Sequence, residues 1–210
     1  MESKIKIYNR IGAIVVFIGL PILFWSLSEV PRQSVLREVI SIITLLAFSF
    51  MLLQFYLSRI NRPMLKEYNM GKVLKWHKTL GYIFVVVLLI HPFLVILPRY
   101  FESGINPGDA FMTMITTFSS PGIIMGMIAW GLMFLIGLTS LIRKILPLSY
   151  KTWRLIHGIL AIAFIITATL HVLKLGRHID KSLSVFIIIL AAGGVFLLIR
   201  TYILSNSKKA

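Results

Sequence analysis

Uncharged, mostly apolar stretches recur along the whole sequence. Six of them lie between flanking charged residues, at Ile11–Ser28, Val39–Ser58, Thr79–Pro98, Ala110–Ile142, Leu155–Leu173 and Ser182–Ile199. Most are 18 to 20 residues long, and a helix that crosses a lipid bilayer needs about 20 such residues. The fourth stretch is longer, and its Pro121-Gly122 dipeptide marks the start of the helix there. The pattern predicts six membrane-spanning helices near residues 8–27, 35–58, 72–98, 122–143, 151–174 and 182–204.

The overall composition indicates lipid rather than water as the solvent of this chain. Hydrophobic residues make up 58% of the 210 positions, charged residues make up 14%, and the mean hydropathy is +0.89. Soluble domains carry about a quarter charged residues. The fold class is therefore predicted to be all-α, an integral membrane six-helix bundle in which residues 1–210 form a single domain. No Gly-x-Gly-x-x-Gly run follows a strand pattern, so no nucleotide-binding domain is predicted.

Basic residues are distributed unequally between the two sides of these spans. Assigning successive loops to alternate sides puts sixteen Lys and Arg residues on one side and six on the other. Loops with the excess of Lys and Arg stay in the cytoplasm. We therefore predict a multi-pass protein of the inner (plasma) membrane of a bacterial cell, with both termini cytoplasmic. This topology accounts for the net charge of +15, and the partner it implies is the lipid bilayer rather than nucleic acid.

The chain contains no cysteine. Structural disulfides, iron–sulfur clusters held by thiolates and covalent c-type haem attachment all require cysteine. Any haem in this protein must therefore be bound without a covalent link to the chain.

Four of the five histidines form two pairs with the same spacing. His77 and His91 lie fourteen residues apart in the third span, and His157 and His171 lie fourteen apart in the fifth. Fourteen residues of α-helix rise about 21 Å and return to within about 40° of the starting face. Because the third and fifth spans run in the same direction, His77 is predicted at the depth of His157, near the cytoplasm. His91 is predicted at the depth of His171, near the outside.

Imidazoles inside a membrane are unfavourable unless something binds them. Two facing pairs suit two haems, each iron taking one axial imidazole from each span, which leaves no open position for oxygen or substrate. We therefore predict two b-type haems with these four histidines as iron ligands, and a role in electron transfer. A single histidine of this kind would also fit a hydrogen bond between helices. A bare metal-ion site is less favoured because no Asp, Glu or Cys lies near any of the four.

Further candidate cofactor-binding residues follow from their register with the histidines. Phe84 and Phe164 each lie seven residues, about two turns, from both histidines of their span, so their rings are predicted on the histidine face between the haems. Ordinary core packing is the alternative for both rings. Arg154 lies one turn before the inner histidine of the fifth span, and Lys174 one turn after the outer one. Both are predicted to bind haem propionates.

Three other residues have simpler interpretations. His178 lies in an outer loop beside Arg177 and is predicted to be solvated, with a contact to an acceptor near the outer haem as the alternative. Gly122 and Gly126 match a small-xxx-small pattern, which is typical of helix packing in membranes.

These residues together resemble the ferric-reductase-like transmembrane family, which includes NADPH oxidases, ferric reductases and the haem-containing membrane subunit of the bacterial periplasmic methionine sulfoxide reductase system. The resemblance rests on six spans with histidine pairs on the third and fifth, and on the run Trp153-Arg154-Leu155-Ile156-His157. It extends over nearly the whole chain. The triplet His91-Pro92-Phe93 resembles the start of a flavin-binding motif of ferric reductases, but it lies inside a span and is not assigned that role.

The resemblance implies electron transfer from a cytoplasmic flavin or NAD(P)H donor, through an inner and then an outer haem b, to an extracytoplasmic acceptor, either a protein or a small molecule. The sequence departs from the oxidases in lacking a carboxy-terminal FAD/NAD(P)H domain. The donor is therefore expected to be a separate cytoplasmic flavin/NAD(P)H reductase, or FMN or FAD bound at the cytoplasmic face. On this interpretation the chain is the haem-bearing electron-transfer subunit of an oxidoreductase.

Two alternatives stay open at this point. The first is a quinone-linked subunit of a periplasmic methionine sulfoxide reductase system that carries a single haem and a flavin. The second belongs to another class, a membrane transporter that depends on intramembrane histidine. The transporter is less favoured, because the charge-free stretches contain no Asp or Glu and the sequence shows no inverted repeat.

Overall fold

The computed structural model describes the backbone of residues 2–57, 68–116, 118 and 120–206. Six helices in this part of the chain are long and apolar enough to cross a membrane, and no strand occurs in it. The first, α1, consists of α-helices Glu2–Ile14 and Leu20–Leu27 joined by a π-helical segment, Val15–Gly19. The others are α2 (Val35–Tyr56), α3 (Met70–Ser103), α4 (Pro121–Leu141), α5 (Tyr150–Leu175) and α6 (Lys181–Asn206). The predicted all-α fold class with six spans is confirmed.

Short polar residues define where these helices begin and end. The side chains of Ser34, Asn69 and Ser149 precede α2, α3 and α5, and each accepts a hydrogen bond from a backbone N–H of the first turn. Such caps satisfy N–H groups that have no partner inside the helix. Pro121 occupies the first turn of α4, where its missing N–H costs nothing. Gly104 ends α3 in the left-handed conformation with φ 64°.

Helix α2 lies at the centre of the bundle. It packs against α1, α3 and α6 and supplies many of the buried side chains, including Phe48 and Leu52. Met133 of α4, Ile165 of α5 and Leu183 at the start of α6 belong to the same core. The largest helix–helix contact joins α4 to α5, and α3 contacts both α2 and α4. The helices that carry the histidine pairs are thus held from both sides.

The π-helical segment of α1 is stabilised from the neighbouring helix. Buried Ser49 of α2 donates its hydroxyl hydrogen to the backbone oxygen of Phe17, at 2.8 Å. A π-helical turn disturbs the regular backbone ladder, and in lipid a carbonyl cannot turn to water instead. The hydroxyl therefore compensates for the local departure from α-helix.

The largest difference from the predicted spans concerns α3 and the segment after it. This helix has 34 residues, whereas the charge-free stretch predicted its end near residue 98. It continues because helix formation does not require an apolar surface beyond the lipid, and it ends only at Gly104. The predicted outer loop 99–121 then contains a further short helix, Pro107–Thr116, here named the loop helix. Most of the predicted inner loop 59–71, with Lys66, lies outside the described residues.

Ser49→Ala is expected to destabilise the folded protein by about 1 kcal/mol, because it leaves the Phe17 carbonyl without its donor in a buried position. Unfolding of the detergent-solubilised protein measures the change. The matched control is Ser26→Ala, since the Ser26 hydroxyl is exposed and bonds a carbonyl of its own helix. Equal stability of the two variants would show that the π-helical segment does not depend on α2.

Candidate functional site

The four paired histidines lie on α3 and α5 and meet in two facing pairs. The ring centroids of His77 and His157 are 6.4 Å apart with 66° between the ring planes. Those of His91 and His171 are also 6.4 Å apart, with 73° between the planes. This is the pairing that two helices running in the same direction produce. The structure therefore contains two sites of similar geometry, separated along the helices. We name His77 and His157 the inner pair, and His91 and His171 the outer pair.

The spacing within each pair indicates what can lie between the rings. A direct N–H···N hydrogen bond between two imidazoles places their centroids about 5 Å apart. A metal ion bonded to both, about 2 Å from each nitrogen, places the centroids about 6 Å apart. The observed 6.4 Å is too long for the first arrangement and suits the second. The spacing of each pair is thus compatible with one metal centre between the two rings.

Two ligands alone do not bind a bare metal ion well. Within the described ranges, no group of three or more His, Cys, Asp or Glu side chains is close enough to hold one. Structural zinc sites take four protein ligands and catalytic ones take three. Two facing imidazoles instead suit a metal whose other ligands come from a macrocycle. The donor set thus fits haem and does not fit a bare ion.

The nitrogens on the far sides of the rings have different surroundings on the two helices. Nδ1 of His171 lies 2.9 Å from the carbonyl oxygen of Gly122, and Nδ1 of His157 lies 3.4 Å from the hydroxyl of Ser140. Both contacts come from α4. Nδ1 of His77 and of His91 are buried, and neither makes a hydrogen bond.

Pro92 directly follows His91 inside α3. Proline has no N–H, so the carbonyl of Leu88, four residues earlier, loses its helical partner, and the proline ring disturbs this turn. The indole N–H of Trp130, on α4, donates to the carbonyl oxygen of Leu89 at 3.0 Å. Pro92 thus alters the helix beside His91, and α4 makes a hydrogen bond to the same turn of α3.

A cavity of about 650 Å³ surrounds the outer pair. His91, His171 and Phe164 line it, as do Phe111 and Met114 of the loop helix. Phe111 also stacks on Phe93 of α3, with centroids 5.1 Å apart. The loop helix thus folds back over the bundle and covers the outer site.

Three arginines line this cavity, and two of them are fixed by acidic partners. Arg37 pairs with Glu102 at 2.8 Å, and Arg177 pairs with Glu38 at 2.9 Å. The third, Arg99, has no ion pair within the described ranges. Guanidinium groups bind carboxylates well, so the cavity offers cations to an anionic ligand.

The basic residues predicted to bind propionates are placed differently. Lys174 lies outside the cavity lining, and its Cβ packs beside Gly122. Arg154 lies in the first part of α5, three residues before His157. The propionate-binding role of Lys174 and Arg154 stays a prediction. The arginines that line the outer cavity are Arg37, Arg99 and Arg177.

The two predicted phenylalanines also differ in their surroundings. Phe164 is 4% exposed and lines the outer cavity. Phe84 stacks in parallel on Phe50 of α2, with centroids 4.3 Å apart. A position between two cofactors stays a prediction for both rings.

At the inner pair, sequence reasoning missed an aromatic neighbour. The indole of Trp153 stacks on the His157 ring with centroids 5.0 Å apart, and its N–H donates to the carbonyl oxygen of Thr139. Arg143 lies over the same indole, 4.9 Å from its centroid. The four-residue spacing of Trp153 and His157 on one helix is the signal that would have indicated this contact.

The prediction that His178 is solvated is wrong. Its side chain is buried, and Nε2 lies 2.7 Å from the Glu38 carboxylate. The ring also meets the indole of Trp25 edge-on, with centroids 5.1 Å apart. Its backbone has φ 61°, which turns the side chain inward at the junction between α5 and α6. The carboxylate is what overrides solvation, because it gives a buried imidazole a charged acceptor.

Glu38 connects several segments at the outer end of the bundle. Its carboxylate accepts hydrogen bonds from the backbone N–H of Gln33 and from the side chains of Arg32, Arg177 and His178. We name this set the Glu38 cluster. It joins the end of α1, the start of α2 and the turn after α5, and it holds Arg177 at the wall of the outer cavity.

The fold and the site define a multi-pass membrane protein with two facing histidine pairs on α3 and α5. Residues 43–168 match the family described as Ferric reductase like transmembrane component. The match covers more than half of the chain, and the chain belongs to this ferric-reductase-like family. Members of the family generally bind haem and typically work with a flavin or NAD(P)H donor. The family assignment supports transmembrane electron transfer.

A protein of Archaeoglobus fulgidus described as uncharacterized is similar to this chain. The two are 43% identical over 160 residues, which represent 76% of this chain and 87% of that protein. No solved structure matches the chain.

The pH dependence of stability is expected to report on His178. Burial lowers the pKa of its imidazole below the usual value, although the hydrogen bond that it donates to Glu38 opposes this. The unfolded chain therefore binds more protons than the folded one below about pH 6.5, and stability falls as the pH decreases through that value. Unfolding measurements at about pH 7.5 and about pH 5.5 are expected to show this loss.

His178→Asn is the matched variant, because asparagine tolerates the positive φ better than most residues. It is expected to have a smaller loss of stability on acidification than the wild type. Identical pH dependence in the two proteins would show that His178 is not the group that titrates.

Proposed function

We propose that this protein transfers electrons across a membrane through two b-type haems, one held by His77 and His157 and the other by His91 and His171. The observation that carries the proposal is the repeated geometry of two imidazole pairs at 6.4 Å. The family assignment supports the same chemistry.

The surroundings of the outer pair support this ligand. Bound at each pair, the cofactor would supply an iron centre that takes up and releases one electron at a time. His91 and His171 would hold this iron centre from the two helices α3 and α5. The cavity walls are mostly apolar, and the loop helix contributes to them. Of the three arginines in the lining, Arg99 makes no ion pair within the described ranges, and it would bind a carboxylate of the cofactor.

Electrons enter from the cytoplasmic side in this proposal, and both chain termini lie on that side. The unequal distribution of Lys and Arg between the loops supports this orientation. The basic surface there, which includes Lys72, Lys75 and Lys78, suits an acidic or flavin-bearing donor protein. An extracytoplasmic molecule would accept electrons beside the loop helix.

Single substitutions of the four histidines test the pairing. His77→Ala and His157→Ala are each expected to reduce the haem content from two per chain to one, with loss of the same inner centre. His91→Ala and His171→Ala are expected to remove the other centre. Haem quantification gives the number of haems that each variant retains, and a redox titration identifies which of the two centres is lost.

His178→Asn is the control histidine and is expected to retain both haems. One haem in the wild-type protein, with one pair dispensable, would instead favour the alternative of a single haem with a flavin. Absence of haem in all preparations would contradict the proposal and leave the histidine-dependent transporter as the second candidate.

The source of electrons is tested with the purified wild-type protein. Dithionite is expected to reduce it, and NADPH alone is not, since these 210 residues contain no nucleotide-binding motif. Adding a flavin reductase is expected to restore reduction by NADPH, at a rate that falls as salt is added. Rapid reduction by NADPH without an added protein would contradict the proposed separate donor.

A further inference from the structure

Helix α4 contacts both histidines of α5 from the same side. Near its start, the carbonyl oxygen of Gly122 lies 2.9 Å from Nδ1 of His171. Near its end, the hydroxyl of Ser140 lies 3.4 Å from Nδ1 of His157. The sequence pattern had explained Gly122 and Gly126 by helix packing alone. The two contacts indicate a more specific role for this helix.

The outer contact determines which nitrogen of His171 carries the hydrogen. A backbone carbonyl can only accept a hydrogen bond, so Nδ1 of His171 is the donor. A neutral imidazole has one N–H, and Nε2 therefore retains its lone pair. This is the tautomer that a histidine needs to ligate a metal through Nε2.

The inner contact gives the same result by a different route. The Ser140 hydroxyl donates its hydrogen to the carbonyl oxygen of Ile136 at 2.7 Å. Its oxygen is thereby left to accept, and Nδ1 of His157 is the available donor. The distance of 3.4 Å makes this the weaker of the two hydrogen bonds.

Gly126 provides the space for the His171 ring. A Cβ atom at this position would lie 2.5 Å from Nδ1 and 2.7 Å from Cε1 of that ring. No side chain larger than hydrogen fits there unless the ring moves. Gly131, one and a half turns further along the same helix, has nothing within 4 Å of such an atom. The close approach is thus a local property of the outer site.

We propose that α4 is the positioning helix for both metal ligands of α5. Gly122 and Ser140 fix the Nδ1–H tautomers of His171 and His157, and Gly126 holds the His171 ring in place. The outer ligand is fixed rigidly by a backbone group and a steric fit. The inner ligand is fixed loosely by one hydroxyl. The effect of α4 on bound haem rests on the proposed function, but its packing against His171 does not.

The outer half of the proposal is tested with Gly126→Ala and its matched control Gly131→Ala. Gly126→Ala is expected to lose the outer haem, so that haem content falls from two per chain to one, and the retained inner haem shows that the bundle is folded. The double variant Gly126→Ala with His171→Ala is expected to lose no more haem than either single variant. Gly131→Ala is expected to retain both haems.

Two results would overturn the outer half. One is retention of the outer haem in Gly126→Ala with an unchanged midpoint potential. The other is loss of both haems in Gly126→Ala, because that would show a general disruption rather than site-selective positioning.

The inner half is tested with Ser140→Ala and the conservative Ser140→Thr. Both are expected to retain the inner haem, because His157 still ligates it. Loss of the hydrogen bond lowers the basicity of the imidazole, so the midpoint potential of the inner haem is expected to rise in Ser140→Ala. Ser140→Thr is expected to restore the wild-type potential. Equal potentials in Ser140→Ala and the wild type would overturn this half.

A measurement that does not involve haem separates this inference from the proposed function. The unfolding midpoint of Gly126→Ala is expected to be lower than that of the wild type, whereas that of Gly131→Ala is not. A wild-type protein without haem would contradict the proposed function, and the unfolding comparison would still report on the packing of α4 against His171. Equal midpoints for Gly126→Ala and Gly131→Ala would overturn that packing.

Discussion

An imidazole inside a lipid-exposed helix bundle needs a partner for its nitrogens, because no water is present to bind them. The protein itself meets only part of this need. Helix α4 binds Nδ1 of the two α5 histidines, while Nδ1 of His77 and His91 are buried without a hydrogen bond. The facing sides of each pair are too far apart to bond directly. The proposed iron centres would bind one nitrogen of each of the four rings, which meets a further part of this requirement.

The same requirement explains the outer end of the bundle. A carboxylate near lipid is stable only when several donors surround it, and Glu38 has them in Arg32, Arg177 and His178. Since these donors come from different segments, the Glu38 cluster also fixes the segments relative to one another. Arg177 lies at the wall of the outer cavity because it pairs with the Glu38 carboxylate.

The sequence predicted the spans well because lipid excludes charge, and charge-free stretches can be counted directly. The spacing of the histidines was equally informative, since His77 and His91 share a helical face for geometric reasons alone. The rotation of each helix was harder to predict. In lipid every face of a helix is apolar, so the pattern does not show which face points inward.

Several contacts were not predicted because the rotation of each helix was unknown. The stacking of Trp153 on His157, the burial of His178 and the position of Arg37 at the cavity all depend on how neighbouring helices are rotated. Lys174 has the spacing from His171 and the charge that its predicted role needs, and it lies outside the cavity lining, so that role stays a prediction. Charge and spacing select candidates, and tertiary packing decides between them.

The fourteen-residue separation of His77 and His91 on α3 has an electrical consequence. It corresponds to about 21 Å along the helix, or about two-thirds of a hydrocarbon core about 30 Å thick. An electron that passes from the inner to the outer pair would therefore cross most of the transmembrane voltage. Since one full charge gains about 2.3 kcal/mol per 100 mV, a membrane that is negative inside would drive this transfer outward. The spacing of two histidines would thus couple the reaction to the energised state of the membrane.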